Sequence, residues 1–214
     1  AESGVTVTFS ATVAGEGTAM STSAGDAAGI GTDAFTGVGQ VQGSDYADIL
    51  TGGIGDQILN GGGGGDTITG GDGNDWLSGM QGADSLNGGS GEDTVSYWGW
   101  NWNTGQTSNV VAGLGADNQT TAATVTDEFG HTDTLLGIEN LSSGAGNDQL
   151  TGDVNANRLS AGNGNDILTG GGGGDTLEGG AGADTFRMLF NETGMDTIAD
   201  FAAGDVVDAT DYVG

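Results

Sequence analysis

The sequence predicts an all-β protein built as a parallel solenoid: two tandem rolls of short stacked strands, with flanking and capping strands. Three observations predict it. Glycine fills 47 of 214 positions, about three times its ordinary share of roughly 7%. Asp recurs every nine residues, with an aliphatic residue two places further on. Two such series lie 100 residues apart and agree position by position, from Thr32-Asp33 against Thr132-Asp133 to Asp84 against Asp184.

Composition excludes several classes. Thirty acids against two bases leave a net charge of −28. Nucleic acid and anionic membrane need a positive footprint, so neither is a partner. No apolar run reaches the ~20 residues of a membrane-spanning helix. Without cysteine there are no disulfides or thiolate metal sites. Collagen fails for want of proline and of a strict three-residue period. Sparse bulky residues and high charge would suit disorder, but the acids are regularly spaced, and spacing of this kind marks a repeat array. Ala1 follows no initiator Met and opens no signal-peptide pattern, so the chain reads as a piece of a longer one or its processed end.

Residues 1–42 form an N-terminal flank and cap, in which Val5-Thr6-Val7-Thr8-Phe9 alternates like a strand. Residues 43–96 are the first block. Its six nonapeptides read GSDYADILT, GGIGDQILN, GGGGGDTIT, GGDGNDWLS, GMQGADSLN and GGSGEDTVS. Residues 97–142 are a second flank and cap, with strand-like Val110-Val111 and Ala123-Thr124-Val125. Residues 143–187 hold five more nonapeptides: SGAGNDQLT, GDVNANRLS, AGNGNDILT, GGGGGDTLE and GGAGADTFR. Residues 188–214 form a C-terminal cap. The segments 33–42 and 133–142 place Val38/Val41 and Ile138/Leu141 where a first coil would begin, as the open end of a solenoid requires.

Within a nonapeptide the Gly-rich six residues read as a turn and the last three as a short strand. Two units make one coil of eighteen, with parallel strands about 4.8 Å apart on two opposed faces. Position-eight side chains, Leu50 to Val95 and Leu150 to Phe186, point between those faces. The resulting core is thin, and position-six carboxylates stack on one edge, one coil apart. At about 5 Å, two unit charges repel by ~0.8 kcal/mol in water and several-fold more near a protein surface. The coil therefore needs a cation between turns.

The ligands on offer are carboxylates and the carbonyls of Gly-rich turns. An all-oxygen set selects a hard cation, and a wrapping turn suits Ca²⁺ better than Mg²⁺, which keeps its waters. Zinc would want His or Cys. The edge columns are Asp48/Asp66/Asp84, Gln57/Asp75/Asp93, Asp148/Asp166/Asp184 and Asn157/Asp175. The gaps 57/75 and 157/175 carry an amide on one side and should bind more weakly. Asp33 and Asp133 read either as ligands of a terminal ion or as cap residues. Asp196 and Asp200 read either as ligands of an additional ion or as part of an acidic, packed cap.

The pattern GGxGxDxUx resembles the calcium-binding nonapeptide of the RTX (repeats-in-toxin) family. Eleven copies carry the resemblance. The departures include Tyr46 and Asn155 at position four, Met80 and Asp153 at position two, and Gln57 and Asn157 at position six. The resemblance implies a right-handed parallel β-roll with calcium between turns. The turn carbonyls would come from Gly61, Gly62, Gly64, Gly70, Gly71, Gly73, Gly79, Gly82, Gly88, Gly89 and Gly91. In the second block they would come from Gly162, Gly164, Gly170, Gly171, Gly173, Gly179, Gly180 and Gly182. It implies about five to ten Ca²⁺ ions. It also implies a module of large proteins exported by Gram-negative bacteria through type I secretion machinery, unfolded in low cytosolic calcium and folded outside. DTIADFAAGDVVD, from Asp196 to Asp208, resembles the cap that follows such repeats.

The remaining constellations are few. Trp98, Trp100 and Trp102 alternate and read as a candidate surface for polysaccharide or a cell-surface partner, or as packing over the end of the first roll. His131 stands alone. The glycine runs lack the Lys-Ser/Thr ending of a phosphate loop. No catalytic constellation is visible. The sequence thus predicts a non-enzymatic, secreted or cell-surface calcium-binding module serving a larger protein, with adhesion or polysaccharide binding as the alternative.

Overall fold

A computed structural model describes residues 4–9, 15, 17–21, 33–35, 38–98, 109–115, 123–127, 129–189 and 193–209. Every regular element among them is a strand. The N-terminal flank holds β1 (Val5–Phe9), β2 (Gly17–Ser21), β3 (Asp33–Phe35) and β4 (Gln40–Gln42). The first block holds β5 (Ile49–Thr51), β6 (Ile58–Gly63), β7 (Thr67–Asp72), β8 (Trp76–Gln81), β9 (Ser85–Ser90) and β10 (Thr94–Ser96). The second flank holds β11 (Val111–Gly113), β12 (Ala123–Thr126), β13 (Thr132–Leu136) and β14 (Asn140–Ser142). The second block holds β15 (Gln149–Thr151), β16 (Arg158–Ser160), β17 (Ile167–Thr169), β18 (Thr176–Glu178) and β19 (Thr185–Arg187). The cap holds β20 (Thr197–Ile198) and β21 (Val206–Asp208).

These strands form two sheets, one of thirteen strands and one of eight. Successive repeats alternate between them, so each sheet gains one strand per coil. Register is eighteen residues throughout the blocks: Leu50 pairs with Ile68, Ile68 with Leu86, Leu59 with Leu77, Leu150 with Leu168 and Leu159 with Leu177. All of these pairs are parallel. The fold is an all-β parallel solenoid of about eight coils, that is, a β-roll.

The core is the single file of side chains between the sheets. All eleven position-eight residues are 0–1% exposed. Each apolar side chain buried this way contributes about 2 kcal/mol. Val7, Phe9, Leu135, Ile138 and Leu141 extend the file into the flanks. The turns set how closely the coils approach. Gly82 has φ +143°, and a Cβ there would overlap the carbonyl oxygen of Gly64 one coil below. A side chain at Gly82 would therefore force these two coils apart. Met80 departs at position two and adopts φ +69°, the one positive φ among the described non-glycine residues.

The two blocks share both sheets. In the eight-stranded sheet, β10 pairs directly with β14 (Val95 with Leu141), and β14 passes the ladder to β16 (Leu141 with Leu159). In the thirteen-stranded sheet an antiparallel detour intervenes. There β9 pairs in parallel with β13, β13 pairs antiparallel with β12, β12 with β11, and β11 in parallel with β15. The segment 132–142 thus begins the second block, as its sequence indicates, and also closes the first. Trp98 is 64% exposed, and its ring lies against Gly144. Trp100 and Trp102 lie outside the described residues.

Candidate metal sites

Each repeat Asp sits just before its strand, at the edge where turn becomes sheet. Its two oxygens have different work. Oδ1 accepts a hydrogen bond from the backbone N–H of the position-six residue one coil earlier. The distances are 2.8 Å from Asp48 to Asp66, 2.7 Å from Asp66 to Asp84, 2.7 Å from Gln57 to Asp75 and 2.8 Å from Asp75 to Asp93. The second block repeats them at 2.7 Å (Asp148 to Asp166), 2.9 Å (Asp166 to Asp184) and 2.8 Å (Asn157 to Asp175). Every gap between stacked position-six residues inside the blocks is thus bridged by a direct bond.

Oδ2 is left over. In Asp66, Asp75, Asp84, Asp93, Asp166 and Asp184 this atom is buried and accepts no hydrogen bond. These residues are 0–2% exposed. A buried, unpaired carboxylate oxygen is costly, by several kcal/mol if the group stays charged. Its proton affinity records the strain. Burial pushes the carboxyls of Asp66 and Asp93 up to about 7 and that of Asp166 to about 6, and neighbouring carboxylates in the same column add to the shift. Asp75, Asp84, Asp148 and Asp184 are raised for the same leading reason.

The Oδ2 atoms point at the position-one glycines. A Cβ at Gly61, Gly79 or Gly179 would fall on Oδ2 of Asp66, Asp84 or Asp184. At Gly70 the same point lies 2.5 Å from the carbonyl oxygen of Gly88 on the next coil, and nearer still to Asp75 Oδ2. At Gly70 one carboxylate oxygen and one carbonyl oxygen from successive coils therefore converge where a side chain would stand, whereas the residue at that position before Asp166 is Ala161. Among the described residues no three His, Cys, Asp or Glu side chains gather. Any cation here must draw most of its ligands from backbone carbonyls, and that donor set suits Ca²⁺.

The two amide positions differ from the rest. Gln57 Oε1 accepts the Gly53 N–H at 3.0 Å, and Asn157 Oδ1 accepts the Asp153 N–H at 2.8 Å. Their amide nitrogens donate to the carbonyls of Ile54 and Glu139, at 3.0 and 2.8 Å. A neutral amide is satisfied by backbone groups, within its own turn at Gln57 and partly on the preceding coil at Asn157.

The columns run past the blocks, with members that nonapeptide reading did not reach. Asp133 Oδ1 accepts the Asp84 N–H at 2.9 Å, so Asp133 tops the first block's column. Burial raises its carboxyl to about 7. At the other end, Asp196 and Asp205 accept the N–H groups of Asp175 and Asp184, both at 3.0 Å. Asp205 stands nine residues after Asp196, and this interval was the signal that could have found it. Asp200 lies off the column; its two oxygens accept the Gly179 and Gly180 N–H groups, at 3.0 and 2.6 Å. Asp48 is capped by the N–H of Val5 from the flank and by that of Ser44 in its own turn. Asp148 receives the Val110 N–H at 2.8 Å. The backbone of Asp33 belongs to β3, and its side chain lies outside the described residues. Buried Asp127, singled out by no spacing, accepts the His131 N–H at 2.7 Å.

Fold and donor set together define a calcium-binding β-roll. Comparison with known families bears this out: the RTX calcium-binding nonapeptide repeat matches in four copies, at residues 33–68, 60–95, 133–168 and 151–186. These segments cover more than half of the chain, and the chain belongs to that family. Its repeat is a structural calcium-binding element and not an enzyme family. No curated protein matches the chain.

Proposed function

We propose that this chain is the calcium-dependent folding module of a larger protein that leaves the cell through type I secretion machinery and folds outside it. The carrying observation is the row of buried carboxylate oxygens without hydrogen-bond partners in Asp66, Asp75, Asp84, Asp93, Asp166 and Asp184, with a turn carbonyl beside that of Asp75 and of Asp93. Asp66, Asp75, Asp84, Asp93, Asp133, Asp148, Asp166, Asp175 and Asp184 are the proposed ligands, with Asp48 at the capped start of its column. Turn carbonyls complete each shell. Bound calcium supplies the positive charge that lets stacked carboxylates stay ionised. Binding and folding are then one process, because each site needs two ordered coils. Extracellular calcium modules work at ~10⁻⁴ to 10⁻³ M, a range that separates the outside of a cell from its cytosol.

The reading is tested by far-ultraviolet circular dichroism across a calcium titration. A steep gain of β signal in the submillimolar to millimolar range, reversed by EDTA, is expected. An identical spectrum with and without EDTA would overturn it.

A further inference from the structure

Inside the chain, the two repeat blocks meet through a junction made largely of backbone. The first block ends with β9 in the thirteen-stranded sheet and then β10 in the eight-stranded one, and β13 and β14 stack on them in that order. The Thr134 N–H donates to the Asp84 carbonyl at 2.8 Å, the Asn140 N–H to the Asp93 carbonyl at 2.9 Å and the Tyr97 N–H to the Ser142 carbonyl at 2.8 Å. Glu139 Oε2 accepts the Asp93 N–H at 2.8 Å. The Gly137 carbonyl oxygen lies where a Cβ at Gly88 would stand. Ile138 and Leu141, held under the first block, are each 1% exposed.

The N-terminal flank repeats the receiving half of this junction with nothing stacked on it. There β3 and β4 are the counterparts of β13 and β14, 100 residues earlier. Among the described residues β3 pairs only with β2, and β4 only with β6. Val38 and Val41, the counterparts of Ile138 and Leu141, are only partly buried, and Gln40, the counterpart of Asn140, is exposed. An open strand edge beside half-covered apolar side chains is a template for one more strand on each sheet. Glu139 alone lacks a counterpart, since residue 39 is Gly; the backbone ladder and the core file do not need it. The chain's own far end has the wrong phase to fit this edge. It closes with β20 in the eight-stranded sheet and then β21 in the thirteen-stranded one, the reverse of the order of β9 and β10. A second copy that set its β3 on β21 would leave its β4 one strand short of β20.

We infer that the β3–β4 edge is the docking surface for the last coil of another calcium roll, one that precedes it in the larger protein and ends in strands ordered as β9 and β10. The inference rests on the proposed role as a module of a larger exported protein and adds a neighbour to it. The first block ends at Ser96, so the 100-residue offset places the end of that roll a few residues before Ala1. Hydrogen exchange read by mass spectrometry, in saturating calcium, compares the exported protein with the 214-residue chain. Peptides covering Gln40 and Gln42 should exchange at least about tenfold more slowly in the exported protein. Peptides covering Leu141, which already lies under a coil, should match in the two. Sequencing upstream of Ala1 should find GGxGxDxUx copies running up to that point. Equal exchange at β4 in the two proteins overturns the inference, and so does an upstream sequence without the repeat. Protection of β4 that grows with the concentration of the 214-residue chain alone, matched by faster sedimentation, assigns the edge to a second copy and overturns it as well. A chain whose circular dichroism ignores calcium would instead defeat the functional reading itself.

Discussion

The same flank occurs twice, and its two copies have different neighbours. In the first, β1 pairs with β2, β2 with β3, and β1 hands on to β5 through Val7 and Leu50. In the second, β11 pairs with β12, β12 with β13, and β11 hands on to β15 through Ala112 and Leu150. Even the cap matches: the N–H of Val5 serves Asp48, and that of Val110 serves Asp148. Yet β13 and β14 each carry a strand of the preceding block on their far side, whereas β3 and β4 end their sheets among the described residues. Local pairing follows the duplicated sequence. What an Asp such as Asp33 or Asp133 can contribute depends on whether a coil is stacked upon it.

The largest test of this contrast is Asp133→Ala against Asp33→Ala. Asp133→Ala strands the buried Asp84 N–H and removes a carboxylate at the junction, which should cost about 1–3 kcal/mol. Asp33→Ala, on an edge with no described strand above it, should cost well under half of that. Urea denaturation in saturating calcium measures both, and equal losses would show that the junction gives Asp133 nothing special.

Acidity separates the blocks next. Take the calcium-free chain. Asp66, Asp93 and Asp133 rise from 3.8 to about 7 on folding, whereas Asp166 rises to about 6. The folded state therefore holds more protons than the unfolded one between these limits. Its stability is fully present below about pH 4 and falls as pH rises towards 7. In EDTA, acidification from pH 8 to 4 should recover β signal, with the second block recovering at lower pH than the first. Tryptophan fluorescence follows the first block through Trp76, and hydrogen exchange resolves both. A chain in EDTA whose β signal is flat over that range contradicts the buried-carboxylate account.

The smallest effect sits at Met80. Its left-handed backbone costs a non-glycine residue about 1 kcal/mol, partly offset by the greater chain entropy of glycine. Met80→Gly should raise the melting temperature in calcium by a few degrees at most. The equivalent turn residue of the second block is already Gly180, with φ +94°, so that block offers no matching gain.

Much of the fold was legible in the residues. The nine-residue period dictated two strands per coil, because each apolar triplet extends and the Gly-rich sextet after it turns, although β6 to β9 run on through the first three residues of that sextet. Leu77 and Leu168 had to face inward, since period-two alternation leaves no other face for them. The stacking of Asp66 on Asp84 followed from arithmetic on the same period. What escaped were the partners: Glu139 keeps the period to Asn157 and Asp205 to Asp196, but neither interval points to Asp93 or Asp184, and Asp127 follows no repeat spacing.

Periodicity alone therefore settled the strand order within the blocks, their core file and their carboxylate columns, because each depends on residues nine or eighteen apart in one chain. Three-dimensional packing settled the rest. Only the folded chain brings Glu139 and Gly137 to Asp93 across more than forty residues, and only there do two repeat blocks become one continuous ladder. The reason is that a hydrogen bond or a shared ion depends on distance in space, and an irregular insertion such as residues 97–132 erases any record of that distance from the sequence.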